Sequence, residues 1–302
     1  MCDERGNRRR LSRSDFEFIY DAMSDIKRTP FRLLKASLER RDLWYMGAFL
    51  HIVVKELLLN RRTQAERGLL IGRFIGVAGD WSFLELRFRG RALKIPRAIC
   101  LRYIPQIIRI FVRNQYNLSE ETAKGKVIVD VGANIGMFSA LSVFMGARKV
   151  YALEPVPETF EMLKSTIALN GLGGVVVPLN VAAGDSDGFG EINYDFPGDS
   201  HASIGLYHNK TPGRRVQRVK ILKLDSFLHG KQVDFIKIDS EGYEKEVLLG
   251  AKTLLRKHKP VLSFSAYHFP SDKTVLPKVV KGIRGDYRIK LNHFAEEDFY
   301  CW

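Results

Sequence analysis

The stretch Val127-Ile-Val-Asp-Val-Gly-Ala-Asn-Ile-Gly-Met-Phe138, followed by Val150-Tyr-Ala-Leu-Glu-Pro155, limits what this 302-residue chain can fold into more than any other. Val127 to Val129 is a short β-branched run, the pattern of a parallel strand buried on both faces, and Asp130 ends it. Gly132 and Gly136 bracket Asn134. Small and apolar residues then recur with helical spacing from Ile135 to Met145, which predicts a helix starting near Asn134. A second strand ends on Glu154, with Pro155 behind it. In this order, the parts match those with which an open α/β sheet holds the adenosine half of a cofactor. A helix N-terminus offers free N–H groups and partial positive charge, and Gly132 lets a ligand approach the backbone. An acid ~20 residues after the turn is placed to bond ribose hydroxyls, and Glu154 follows Gly132 by 22 residues.

Glycine spacing narrows the choice of cofactor. A dinucleotide turn needs glycines where this chain has Asn134 and Met137. No glycine-lysine-serine/threonine triplet follows, so the P-loop is absent too. The ligand suggested is a nucleoside without a pyrophosphate, and S-adenosylmethionine fits.

Charge is placed unevenly. Net charge is +14, yet residues 1–115 hold 24 Lys and Arg against 12 Asp and Glu, whereas residues 116–302 hold 24 against 22. The arginine-rich N-terminal segment suits an anionic membrane surface, phosphorylated ligands or nucleic acid, or is simply a solvated face. Cys2, Cys100 and Cys301 form no CxxC pair and leave an odd count, which points away from a disulfide framework or a zinc site and toward a reducing, cytoplasmic compartment. The start, with Arg8-Arg9-Arg10 and no apolar run behind it, does not read as a secretory signal.

Along the chain, residues 1–14 read as frayed and 15–60 as helices. The apolar stretch Leu43–Leu59 is interrupted by His51, Lys55 and Glu56, too charged to span a membrane. It reads as a buried helix or one lying on a bilayer surface. Trp81–Phe88 alternates like a half-buried strand and pairs through a turn at Arg89-Gly90-Arg91 with a strand ending at Ile95. A helix over Tyr103–Tyr116 leads into the main domain. Strands follow at Val175–Val181, Val233–Ile238 and Val261–Ser265, with helices over Glu158–Leu169, near Glu241–His258 and over Asp272–Lys281. Tyr287–Leu291 and Phe299–Trp302 form a closing hairpin. A long insertion separates the third and fourth strands. The division expected is a basic, mainly helical extension over 1–110, with a β-hairpin near 81–96, and a catalytic domain over 111–302.

Residues 236–244 read Ile-Lys-Ile-Asp-Ser-Glu-Gly-Tyr-Glu. Together with Asp130-Val-Gly-Ala-Asn-Ile-Gly136, Leu153-Glu-Pro155 and Tyr267-His268-Phe-Pro-Ser-Asp272, they resemble the FkbM family of S-adenosylmethionine-dependent methyltransferases. The resemblance covers about residues 110–302. It implies a seven-stranded, mostly parallel, Rossmann-like class I methyltransferase sheet with its last strand antiparallel. It also implies methyl transfer to a hydroxyl of a sugar, glycan or secondary metabolite. Asp130, Gly132, Asn134 and Gly136 would surround the methionine part of the cofactor, Glu154 would take the ribose, and the segment holding Ala182 and Asp185 would lie near the adenine. Many relatives carry Glu where this chain has Ser265.

Methyl transfer aligns a nucleophile with an activated S–CH3 bond, and a base near the acceptor hydroxyl helps. Asp239, ending the fourth strand, is the first candidate, with Glu241 and Glu244 at the next helix start and His268 a second base poised near neutral pH. Lys237 is out of phase with them, its role open. Asp239, Glu241 and Asp225 could instead hold Mg2+, but spacing alone establishes no metal site. Two other readings remain. One is an RNA methyltransferase; the loop Asp239-Ser-Glu-Gly242 and the lack of an RNA-binding signature make nucleic acid a poor fit. The other is a non-catalytic membrane- or partner-binding protein on a retained fold. Nothing in the sequence specifies an oligomeric state.

Overall fold

The computed structural model describes residues 83–88, 91–96, 103, 106–195, 202–204, 214–293 and 296–302. The start expected to be frayed, the expected helices of 15–60, the Leu43–Leu59 stretch and most of the basic segment lie outside the described residues. In chain order, β1 (Phe83–Phe88) and β2 (Arg91–Pro96) form the expected antiparallel hairpin. A π-helical segment, Ile108–Val112, and α1 (Glu120–Ala123) lead to β3 (Val127–Val131). Then come α2 (Met137–Phe144), β4 (Lys149–Leu153), α3 (Pro157–Leu169) and β5 (Val176–Leu179). The insertion supplies β6 (Ala182–Ala183), β7 (Gly188–Tyr194), β8 (Ser203–Ile204) and β9 (Arg215–Leu222). After it follow α4 (Leu224–Phe227), β10 (Phe235–Ile238), α5 (Glu244–Leu249), α6 (Lys252–His258) and β11 (Val261–Ser265). The chain closes with α7 (Asp272–Ile283), β12 (Ile289–Asn292) and β13 (Asp298–Cys301).

The main sheet has seven strands in the order β12-β13-β11-β10-β3-β4-β5. Only β13 runs against its neighbours, pairing antiparallel with both β11 and β12, as the resemblance implies. All five residues of β3 are buried, because helices cover both faces of a parallel sheet. Ile128, Phe138, Leu141, Ile167 and Phe235 pack on one side, and Val129, Ile236, Val247, Leu255 and Val280 on the other. The insertion is a second sheet, ordered β6-β9-β7-β8, with its own small core of Val156, Ile192, Tyr194, Val219 and Ile221. Among the described residues no helix is long and apolar enough to cross a membrane.

Three elements differ from the sequence reading. The helix over Tyr103–Tyr116 stops after Val112, because Asn114 and Asn117 take left-handed backbone (φ 48° and 52°). Asn114 pins that turn with side-chain bonds to both the N–H and the C=O of Leu118, at 2.9 Å each. The helix expected near Glu241–His258 is two helices. The Gly250 carbonyl accepts from Asp225 N (2.9 Å) instead of continuing the helical ladder, and the Asp225 carboxylate caps α6 through Thr253 N and Leu254 N. The helix predicted from Asn134 begins at Met137, after the left-handed Gly136 (φ 89°).

The hairpin is tied to the main domain by Asn170, at the end of α3. Its side chain accepts from Lys94 N (2.6 Å) and donates to Lys94 O (2.8 Å). Asn170→Ala leaves both backbone groups without their bonds, at a cost of ~1–3 kcal/mol. In hydrogen exchange, residues 91–96 should lose protection while 235–238 keep theirs. Equal exchange of 91–96 in the two proteins would show that the tie contributes nothing.

Candidate active site

Strand register brings the site together. Val131 pairs with Ile238 on one side and Leu153 on the other, so Gly132, Asp239 and Glu154 leave three adjacent strand ends side by side. The strand order reverses between β3 and β10, which is where open α/β sheets bind ligands. A cavity of about 270 Å³ opens there.

Gly132 has φ +70°, and a Cβ on it would lie 1.9 Å from the Asp239 carbonyl oxygen. Only a glycine lets β3 and β10 end this close together. Asn134 takes the next left-handed position (φ 49°), which Asn tolerates better than most residues. Its N–H donates to Glu154 Oε2 (2.9 Å), and Val156 N donates to Oε1 (3.0 Å). Asn180 Nδ2 donates to the carbonyls of Glu154 and Pro155 (2.9 and 3.0 Å), holding that strand end from the far side. Burial pushes the Glu154 carboxyl up to about 7, against the lowering effect of those two backbone bonds.

Beneath the turn, Lys237 is almost fully buried. Its ammonium donates to Val131 O (3.1 Å) and Gly132 O (2.7 Å) and pairs with Asp130 at 3.2 Å. Asp130 Oδ2 accepts from Ser139 Oγ at 2.7 Å. Lys237 therefore clamps the turn, which gives it the role the sequence left open.

Of the residues singled out from sequence, Gly132, Asn134, Glu154, Ala182, Asp239, Glu241 and His268 line the cavity. Asp130, Gly136 and Asp185 are not among the lining residues. Asp130 is buried under the turn, Gly136 faces α3 (a Cβ there would meet Leu163 Cδ1 at 2.6 Å), and Asp185 is exposed on the insertion.

Asp239 receives Tyr116 Oη at Oδ2 (2.7 Å) and Ser265 Oγ at Oδ1 (3.0 Å). Burial raises its carboxyl, but Lys237, His268, the Tyr116 hydrogen bond and Arg109 outweigh that and hold it below its ordinary value. Glu241 takes left-handed backbone (φ 55°) in the loop behind Asp239. Glu244 closes that loop by accepting from Ser240 N (2.8 Å), Ser240 Oγ (3.0 Å) and Gly242 N (3.1 Å). His268 lies among these acids. Its Nδ1 is 3.3 Å from Glu244, and its Nε2 is 3.4 Å from Glu241 and 3.9 Å from Asp239. Burial opposes a charge on the ring, but Glu241, Glu244 and Asp239 overcome it and push His268 up to about 11. At neutral pH it is an imidazolium, not the free base that its position in the sequence suggested.

Ligand atoms of Asp239, Glu241 and His268 lie within 4.8 Å of one another, and so do those of Glu244, His268 and Asp272. Either set has donors a divalent cation accepts, in competition with the proton on His268. Asp225, capping α6, belongs to neither.

Tyr267 aside, one wall is invisible in the sequence motifs. Gln106, Arg109, Gln115 and Tyr116, together with Tyr267 and Glu296, line the cavity beside Asp239. Arg109 is paired with Glu296, and Gln115 Nε2 donates to Glu296 at 3.2 Å. The available signal was polar residues interrupting an apolar helix, which says nothing about distant Asp239.

Two curated relatives align with this chain. One is the hexuronic acid methyltransferase AglP of Haloferax volcanii, 30% identical over 142 residues, covering 46% of this chain and 55% of that protein. The other is the methyltransferase sdnD of Sordaria araneosa, 27% identical over 174 residues, covering 47% and 66%. The chain thus spans between half and two thirds of the relatives it matches. Among solved structures, methyltransferase FkbM from Methylobacillus flagellatus KT aligns with a TM-score of 0.46 and 19% identity, covering 69% of this chain and 56% of that one. The methyltransferase FkbM domain matches residues 130–289. That span begins at Asp130 and takes in the glycine turn, Glu154, the Asp239 loop and His268, and the chain belongs to the FkbM methyltransferase domain family.

Proposed function

We propose that the protein is an S-adenosylmethionine-dependent methyltransferase acting on a hydroxyl oxygen, with a sugar or other polyol as acceptor. The observation that carries this is the placement of Gly132, Glu154 and Asp239 on three adjacent strand ends around one cavity. The residues present fit the cofactor. Glu154 keeps lone pairs for ribose hydroxyls beyond its two backbone bonds, and Val181, Ala182, Ala183 and Ile192 offer an apolar bed beside it. The acidic groups around Asp239 suit a sulfonium cation. Bound there, S-adenosylmethionine would supply an activated methyl group.

With the cofactor bound, Asp239 would take the acceptor's proton as the C–O bond forms and the S–CH3 bond breaks, leaving the neutral thioether; a carboxylate has about four lone-pair sites, of which Tyr116 and Ser265 use two. Burial, and next Asp239, keep the Tyr116 phenol well above its ordinary value, so it stays a donor. His268 holds Glu241 and Glu244 in place. On the acceptor side, Gln106 Oε1 and Arg109 Nε are buried without hydrogen-bond partners among the described residues. One acceptor and one donor on the same wall match neighbouring sugar hydroxyls. AglP, a hexuronic acid methyltransferase, supports a sugar acceptor; an arginine on this wall also suits an acidic one.

Titration calorimetry with S-adenosylmethionine tests the cofactor. Glu154→Gln should weaken binding about tenfold or more, since a hydrogen bond to a charged group contributes ~1.5–3 kcal/mol. Ribose hydroxyls donate to the ionised carboxylate, so wild-type affinity should fall as pH drops below about 7 and level off above it. In Glu154→Gln that dependence should vanish. Wild-type affinity in the variant at every pH would mean that the ribose lies elsewhere. S-adenosylhomocysteine formation with a panel of uronic acids and neutral sugars then reads the acceptor.

A further inference from the structure

We propose that Asp298 is a positioning residue: a neutral carboxylic acid that donates to Ser265, which donates to Asp239, so that this pair of carboxyls carries its one negative charge on Asp239. The inference deepens the function proposed above and rests on it in taking Asp239 as the group that meets the acceptor hydroxyl.

The geometry requires a proton between the two acids. Ser265 ends β11 and pairs in register with Asp298 at the start of β13. Ser265 Oγ lies 3.0 Å from Asp239 Oδ1 and 3.3 Å from Asp298 Oδ1. A serine hydroxyl has one hydrogen and can donate to only one of them. If both acids were ionised, the other contact would set two unprotonated oxygens against each other in a buried site. A proton on Asp298 resolves this, giving Asp298 O–H to Ser265 Oγ and Ser265 O–H to Asp239 Oδ1.

The surroundings decide which acid keeps the proton. Asp298 is 1% exposed. It faces Asp239, Glu296 and the Tyr116 phenol. Gln115 Nε2 is 3.5 Å from Asp298 Oδ1 and closer to Glu296, and Asn292 lies opposite Asp298 in register on β12. Oδ2 has no hydrogen-bond partner, and no cation pairs with Asp298, among the described residues. Asp239 instead has the Tyr116 hydroxyl and the fields of Lys237, His268 and Arg109. Burial, then Asp239 and Glu296, push Asp298 up to about 8, while Asp239 is held low. Two carboxyls whose environments separate them in this way take different roles.

Infrared spectroscopy of the full chain at pH ~6.5, below the range in which Asp298 would ionise, reads the proton directly. Beside the Glu154 carboxyl, which ionises through about 7, wild type should show the carbonyl band of a second buried protonated carboxyl, fading only as pH rises through about 8, and Asp298→Asn should lack that band. Ser265→Ala should keep the band but shift it, because the acid loses its acceptor. Thermal stability gives a second readout. Native Asp298 holds its proton above the ordinary carboxylate range, so wild-type stability is lost as pH rises through that range to about 8. Asparagine cannot ionise, so Asp298→Asn should lose less. A wild-type spectrum without the band, or a band unchanged in Asp298→Asn, overturns the proposal. A band left unshifted by Ser265→Ala overturns the bridge. Failure to bind S-adenosylmethionine in calorimetry, with the band intact, would instead sink the cofactor reading alone.

Discussion

Gly132→Ala should lose about 3 kcal/mol or more of stability and show no heat of S-adenosylmethionine binding. Two separate costs meet at this residue. A left-handed backbone costs a residue with a Cβ ~1–2 kcal/mol, and overpacking typically adds ~1–3 kcal/mol. Here the obstacle is the Asp239 carbonyl at 1.9 Å, which can move only if the end of β10 moves. That displacement carries Asp239 away from Tyr116 and Ser265, so the acceptor side is damaged along with the cofactor side. Gly125 provides the control. It has nearly the same backbone (φ +71°), and a methyl group there would meet nothing within 4 Å, so Gly125→Ala should lose only the conformational part. Urea midpoints that fall equally in the two variants would show that the close approach of Gly132 to β10 contributes nothing.

The second large effect is expected at Lys237→Met. Removing the ammonium leaves Asp130, which is fully buried, without its cation. Breaking a buried pair by deleting one partner costs ~3–5 kcal/mol. The carbonyls of Val131 and Gly132 lose their clamp in the same step, so cofactor affinity should fall along with stability. A double-mutant cycle separates the two losses. Asp130→Asn combined with Lys237→Met removes the stranded charge and should recover much of the stability, but not the affinity. Recovery of both would mean that Lys237 serves only to neutralise Asp130.

Much of the site was legible in the sequence because its parts are local. A glycine between a β-branched run and a helix marks a turn wherever it occurs, and an acid ending the next strand follows from the length of one βαβ unit. Thus Gly132, Asn134 and Glu154 were found from spacing, and they line one cavity. The Glu241–His258 helix was misread because its break depends on a residue far away in sequence. Asp225 takes the Gly250 carbonyl and caps α6, and no pattern within residues 241–258 shows this. His268 was misread for a related reason. A histidine after a strand reads as poised near neutral pH until Glu241, Glu244 and Asp239 are seen around it.

By itself, the order of strands, turns and acids in the sequence determined a parallel α/β sheet, the place where β3 meets its ligand crevice, and a nucleoside cofactor without a pyrophosphate as the ligand to expect. Those properties follow from backbone conformation and from side-chain periodicity, which act over a few residues. Only the tertiary structure decided the charge states of the site and its second wall. Tyr116 and Asp239, Ser265 and Asp298, and Arg109 and Glu296 are distant in sequence and meet only once the sheet is assembled. Whether a buried carboxyl or imidazole carries a charge depends on the groups packed against it, and those are chosen by strand order and register.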